Sequence, residues 1–514
     1  MNSNRTQNVA RTFVFGVFYR IISILCPFVI RTIIIYKLGN EYVGLTSLFT
    51  SVLTILNVSE LGIKGAIAFC MYKPVAENDI PAINALMALM RKLYHAIGFF
   101  ILGMGLLLMP FLDKLISGSY PADMNIYWLY LIYLANTVVS YLGFAYKQTL
   151  FEVNQRGDIN HKILTCVSLV QYALQIVVLL VFGNYYYYAV MLPIASFFVT
   201  VISQRVSRKM YPDIIPKGKV PDKTKKIIRT KVVYLAAHSI ACSLTNSIDN
   251  IIISTSLGLV TVALYGNYSY ISTAVMGILN VAYSAILPSL GNSFYTDTGD
   301  RRYEIFSAVQ LFSNWLVTWC SVCMLCLYQP FMVLWVGEEN LLSFAVVIMV
   351  VLFFHMNALS LSMTQTYIQA LGLWNKTLPR QIAKSLFNLV LDILLVNRFG
   401  VEGIVFASFF AAAFIAFPAD IFVVYKYVLN KSPRRGLFKS FGYVIISVLV
   451  CVVTYVICEF LSFDGIVGFL VKLCICIIVP NVIMLILFFK TSGFLVLRQH
   501  VNSLVHKRLS DWRN

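Results

Sequence analysis

Residues 11–39, RTFVFGVFYRIISILCPFVIRTIIIYKLG, form one apolar run with two arginines inside it. A helix needs about 20 mainly apolar residues to cross a bilayer, and this run is long enough. Arg20 and Arg31 stand 11 residues apart. At roughly 100° per residue that spacing returns to the same helix face within about 20°, and Pro27 falls on the same stripe. A charge at the centre of a membrane helix costs about 3 kcal/mol even on the lenient insertion scale. The stripe is therefore expected to face protein or a watery cavity rather than lipid. The proline is expected to bend the helix between the two charges.

The rest of the chain repeats the apolar pattern. Of its 514 residues 59% are hydrophobic and 12% charged, with a mean hydropathy of +0.79. A soluble domain is nearer a quarter charged, so the composition predicts an all-α polytopic membrane protein. Fourteen transmembrane helices are expected, near 12–36, 42–69, 91–112, 124–147, 163–183, 186–205, 231–256, 261–288, 304–329, 341–370, 381–398, 402–428, 440–462 and 466–489. The distribution of basic residues tests this count. With the N-terminus inside, 33 of the 40 Lys and Arg fall on inner connections and tails. Only Lys37, Lys114 and Arg398 fall outside, and Arg20, Arg31, Lys64 and Lys472 lie within spans. That asymmetry predicts a multi-pass protein with both termini cytoplasmic. It also explains the net charge of +18 as topology and contact with anionic membrane lipid, not nucleic-acid binding. The first run reads as a retained signal-anchor, because it is long and no small-residue cleavage site follows it.

The basic segment 205–231 divides the chain. The expected organisation is an N-lobe over 1–215 with six helices, a C-lobe over 216–430 with six, and two further helices with a cytoplasmic tail over 431–514. A weak internal repeat supports it. A shift of 218 sets Arg20 on His238, Pro27 on Thr245, Arg31 on Asp249, and Ile33-Ile34-Ile35 on Ile251-Ile252-Ile253. Both halves start inside, so the lobes are parallel repeats, a transporter signature.

Polar residues inside the spans are the candidate functional groups. Glu60 and Lys64 are one helical turn apart and can pair. Arg31 and Asp249 could form an interlobe lock, and His238 could be a proton-responsive group. Lys384, Asn388 and Asp392 share a face, with Lys384 expected to snorkel to the interface. Asp420 and Glu459 read as boundary residues. Tyr185 to Tyr188 read as interfacial anchors. Tyr265 and Tyr268 could stack on sugar rings or pack in the core. The 11 cysteines form no disulfide framework, and the CxxCxxC pattern of Cys320, Cys323 and Cys326 reads as small buried hydrophobes, so no metal is expected. Walker A, HExxH and GxSxG patterns do not occur, and no long loop offers a catalytic surface, so the chain is not expected to be an enzyme or to carry a cofactor.

Several local pieces resemble one family: Leu38-Gly39-Asn40-Glu41-Tyr42-Val43-Gly44-Leu45, Glu60-Leu61-Gly62-Ile63, Tyr72-Lys73-Pro74-Val75-Ala76-Glu77-Asn78-Asp79, the helix around Asp249, and Leu334-Trp335-Val336-Gly337. Together with the six-plus-six-plus-two pattern, the chain resembles the Wzx-type polysaccharide and oligosaccharide flippases of the multidrug/oligosaccharidyl-lipid/polysaccharide (MOP) exporter superfamily. The resemblance implies a MATE-like fold in the bacterial cytoplasmic (inner) membrane. It implies flipping of undecaprenyl-diphosphate-linked oligosaccharide repeat units for surface polysaccharide assembly by alternating access. The partners implied are the lipid-linked oligosaccharide, a polymerase and other assembly proteins. In that reading Arg20, Arg31 and Lys64 engage the diphosphate, while Asp249, His238, Glu60 and Pro27 serve coupling to a proton or sodium ion, or gating. Three rivals remain at this stage: a multidrug exporter, a peptidoglycan-precursor exporter on the same fold, and a non-transporting scaffold of an envelope-synthesis complex. The first predicts an acidic cavity, whereas the first two spans hold three bases and one acid.

Overall fold

A computed structural model describes residues 2–57, 59–118, 120–296, 299–363, 367–368, 371, 373–461 and 465–499. Secondary structure among them is helical throughout, and the chain divides into two compact units. The first comprises residues 1–266 and 392–400, the second 267–391 and 401–514. These units and the expected lobes are different divisions: a unit is a set of helices in contact, whereas a lobe is half of a sequence repeat.

The first unit contains α1 (Asn2–Lys37), α2 (Asn40–Leu56), α3 (Ser59–Glu77), α4 (Ile80–Leu108), α5 (Ile126–Leu142), α6 (Gln148–Val153), α7 (Gly157–Val181), α8 (Tyr185–Met210), α9 (Asp222–Leu257) and the start of α10 (Leu259–Thr296). Local chemistry sets several ends. The Asp79 carboxylate accepts from Ala82 N at 3.0 Å and caps α4, and Asn125 caps α5 through Tyr127 N at 3.0 Å. The short α7–α8 connection expected from Gly183-Asn184 is there: Gly183 takes φ 60°, and the Asn184 side chain accepts from Tyr186 N at 2.9 Å. α1 lies along α7, α2 and α3 pack on α9, and α5 packs on α4 and α8. The core between them is apolar, with Leu45, Leu48, Phe49, Ile67 and Tyr130 fully buried. α1 runs unbroken past Pro27.

The second unit contains α11 (Gly299–Val336), α12 (Phe344–Met363), most of α13 (Trp374–Ala411), α14 (Phe417–Val423), α15 (Pro433–Phe460) and α16 (Gly465–Phe488). α11 packs on α12, α15 and α16. α14 is flanked by π-helical turns at Ala412–Ala416 and Val424–Val428.

By length and apolar composition, ten helices among the described residues can cross a membrane, or eleven with the bent pair Ile126–Leu142 and Ala145–Val153 as one span. The expected fourteen is therefore not reached on these criteria. One reason is that Asn375–Val428 counts once, although Gly400, at φ 57°, breaks it where two spans were expected. A second is that the expected 42–69 span is split between α2 and α3.

Candidate functional site in the polar interior of the first unit

Arg20 sits half-buried on α1, and its Nε has no hydrogen-bond partner among the described residues. Beside it, the Tyr19 hydroxyl is hydrogen-bonded to Ser168 of α7, and the Tyr19 ring lies 6.1 Å from that of His161. The neighbouring polar groups are thus committed to helix packing, while Arg20 keeps donor capacity.

Arg31, three turns further on, is anchored differently. Its Nη2 donates to the Ala263 carbonyl at 3.2 Å. Gly266 makes room for it, since a Cβ at that position would stand 2.8 Å from Nη2. The guanidinium also acts electrostatically on Tyr188. Arg31 and Asp249 belong to the same compact unit. Asp249 is 5% exposed and accepts from Tyr265 Oη at 3.4 Å. Its carboxyl group also meets that of Asp392, which is fully buried. Two buried carboxyls in hydrogen-bond contact need a proton or a cation between them.

Lys64 forms an ion pair with Glu152 of α6, Nζ to Oε1 at 2.6 Å. Glu152 was missed from the sequence because it falls in a connection between spans. The side chain of Glu60, the partner expected for Lys64, lies outside the described residues. With Glu152 present, the charge balance around Lys64 is less cationic than the spans alone indicated. His238 is half-buried on α9, with Nδ1 3.6 Å from Cys242 Sγ one turn on.

The end of the unit that carries the α9–α10 turn is closely packed. Asn250 Nδ2 donates to Ser51 Oγ at 2.9 Å, and Ser254 Oγ donates to the Leu115 carbonyl at 2.6 Å. A Cβ on Gly44 would fall 2.2 Å from the Leu259 carbonyl oxygen, so only glycine lets α2 approach α10 there. The tyrosines of α8 divide. Tyr187 is exposed as a membrane anchor would be, whereas Tyr185 and Tyr188, one turn apart, turn inward. Tyr185 Oη is hydrogen-bonded to Thr46 and, at 3.1 Å, to Tyr133. The four-residue belt is corrected to one clear anchor because helical periodicity sends the i, i+3 pair inside.

In the second unit, Tyr268 has no exposed surface: its Oη donates to Gln329 Oε1 at 2.9 Å, and its ring packs 5.3 Å from Tyr328. It is therefore built as a core residue here, not offered to a sugar, and Tyr265, in the first unit, is likewise enclosed, with 7% exposure. Lys384 does not snorkel. It is buried and donates to Asn357 Oδ1 at 3.3 Å. Asp420 is no boundary residue, being fully buried and paired with Arg380 Nε at 2.8 Å and with Ser360. Cys326 of the CxxCxxC pattern joins a thiol cluster with Cys458 and Cys476, all three Sγ atoms within 4.8 Å of one another, and Cys323 is hydrogen-bonded to Cys476 beside it.

The family model described as polysaccharide biosynthesis protein matches residues 9–294. No curated protein matches the chain. Among solved structures, it is similar to a multidrug resistance MATE family transporter of the MOP superfamily in an inward-facing conformation. That match has 12% identity, a TM-score of 0.58, and coverage of 84% of this chain and 98% of the other. An outward-facing structure of a MATE family transporter matches at 12% identity with a TM-score of 0.56, covering 85% and 96%. A mutant of the Vibrio cholerae MATE transporter VcmN matches at 14% identity with a TM-score of 0.55, covering 83% and 98%. At such identities the likeness is one of fold.

Proposed function

Since the chain belongs to the polysaccharide biosynthesis protein family and carries the fold of MOP-superfamily transporters, we propose that it flips a lipid-linked oligosaccharide across the bacterial cytoplasmic membrane. The observation that carries this reading is Arg20, a half-buried guanidinium inside an apolar helix whose Nε has no partner among the described residues. A diphosphate cannot enter hydrocarbon unaided, because burying its charge is prohibitive. An arginine at membrane depth lowers that cost, and its planar fork suits phosphate oxygens. Arg20 is the primary diphosphate ligand. Arg31 and Lys64 supply weaker attraction, because the Ala263 carbonyl and Glu152 already engage them. The polyprenyl tail stays in lipid throughout, so only the headgroup crosses by alternating access.

Asp249 and Asp392 are the coupling group in this reading. A proton or sodium ion between the two carboxyls would come and go with the conformational cycle. The protein performs no bond chemistry, and both termini lie in the cytoplasm. Its partners are the lipid-linked substrate, anionic lipid, and the polymerase that extends the flipped unit.

The test is deletion of the gene, complementation with wild type or Arg20→Ala, and analysis of lipid-linked intermediates. Inner-leaflet repeat units should accumulate in the deletion and in the Arg20→Ala strain at normal protein abundance. Full export by Arg20→Ala would remove that residue from the mechanism. The carboxyl pair favours a second reading, a cation exporter on the same fold. Unchanged lipid intermediates with altered dye efflux would select it.

A further inference from the structure

Three basic side chains converge where residues 145–147 lead into α6. Lys147 is 3% exposed, and its Nζ lies 5.9 Å from the centre of the Tyr146 ring. The charged groups that act on it are Arg208 of α8 and Arg91 of α4, both of like sign. Each guanidinium is held in place. Arg91 is hydrogen-bonded to the Tyr146 hydroxyl. Arg208 Nε and Nη2 donate to the Gln204 side-chain oxygen at 2.8 and 3.1 Å, with that amide turned to face them. On the same packed elements, the hydroxyls of Thr149, Ser203 and Ser207 are buried without a hydrogen-bond partner among the described residues.

The Lys147 side chain is buried while Arg91 and Arg208 are exposed, so its charge is disfavoured by desolvation and, more weakly through solvent, by the two guanidiniums. An anion between them reverses both terms, and the arginine forks suit phosphate oxygens. We infer that Lys147, Arg91 and Arg208 form a site for the phosphate or diphosphate of a lipid headgroup. The inference stands on this charge arrangement and does not depend on the transport reading. Two sources share the chemistry, a bilayer phospholipid and a polyprenyl diphosphate.

The test is thermal unfolding of the purified full-length protein in a neutral detergent. It is titrated with inorganic diphosphate, phosphatidylglycerol or undecaprenyl diphosphate. Wild type, Lys147→Met and Arg208→Gln are compared, the last carrying the test if Lys147→Met does not fold, because the Arg208 side chain is exposed. At least one probe should raise the melting temperature of the wild type, and its half-saturating concentration should rise tenfold or more in each variant. A stronger response to phosphatidylglycerol identifies a bilayer lipid as occupant, and a stronger response to undecaprenyl diphosphate identifies the polyprenyl lipid. No shift with any probe, or superimposable titrations in wild type and variants, overturns the site.

Discussion

Lys64 and Glu152 face each other at 2.6 Å, joining α3 to α6. Their side chains are 33% and 36% exposed, so solvent screens the attraction, and such pairs contribute about 0–1 kcal/mol. The pair therefore matters more for charge balance than for stability. Glu152→Gln should lower the melting temperature only slightly, and a double-mutant cycle with Lys64→Met should give a coupling below about 1 kcal/mol. Thermal denaturation of the four proteins checks this. A coupling several-fold larger would make the pair a structural clamp.

Two glycines make contrasting predictions. At Gly44 a Cβ would fall 2.2 Å from the Leu259 carbonyl oxygen, a backbone atom that cannot step aside alone. Gly44→Ala should force α2 from α10 and destabilise by about 1–3 kcal/mol, as overpacking does. At Gly266 the nearest atom to a new Cβ is Arg31 Nη2 at 2.8 Å, the far end of a flexible side chain. Gly266→Ala should cost little stability while displacing the guanidinium from the Ala263 carbonyl. Melting temperature and glycan export, measured together, separate the two: Gly44→Ala lowers both, whereas Gly266→Ala alters export with the melting temperature nearly unchanged.

The contact between Asp249 and Asp392 leads to a prediction on coupling. An amide can hydrogen-bond the remaining carboxylate without a proton or cation between them. Asp392→Asn should therefore fold and lose the dependence of transport on the ion gradient. The check is uptake of lipid-linked substrate in proteoliposomes with imposed proton or sodium gradients. Unaltered gradient dependence in the variant would take the pair out of the coupling step.

The sequence made the faces legible and left the partners hidden. The Arg20 and Arg31 stripe follows from 3.6-residue periodicity, and the α7–α8 and Gly400 breaks follow from glycine chemistry. Which helices become neighbours is not written in local periodicity. Lys64 was read against Glu60 on its own helix, while its partner came from a connection over 80 residues downstream. The cysteine pattern shows the same limit. Spacing of i, i+3 and i+6 spreads three side chains over about 120° of a helix, so neighbouring Cys323 and Cys326 can both meet thiols of α15 and α16, partners that the spacing alone does not name. Lys384 and Asp420 looked like interface residues because hydropathy places spans to within a few residues only. Their burial is decided by Asn357, Arg380 and Ser360 on other elements.

Asp420 and Arg380 carry the last prediction. The carboxylate is fully buried, the guanidinium side chain is 10% exposed, and Ser360 donates to the second carboxylate oxygen. Removing one member of such a pair leaves a buried charge without its counter-ion, which costs about 3–5 kcal/mol. Asp420→Asn alone should sharply lower thermal stability or abolish expression. Replacing both ions with groups of similar volume, as in Arg380→Met with Asp420→Leu, removes the uncompensated charge and should recover most of the loss. Melting curves of the two variants against wild type decide it. Asp420 stands on α14, which the π-turns Ala412–Ala416 and Val424–Val428 flank, a backbone form frequent at functional sites. If the double variant regains stability without regaining export, the ion pair serves the transport cycle as well as the fold. If both return together, its role is packing alone.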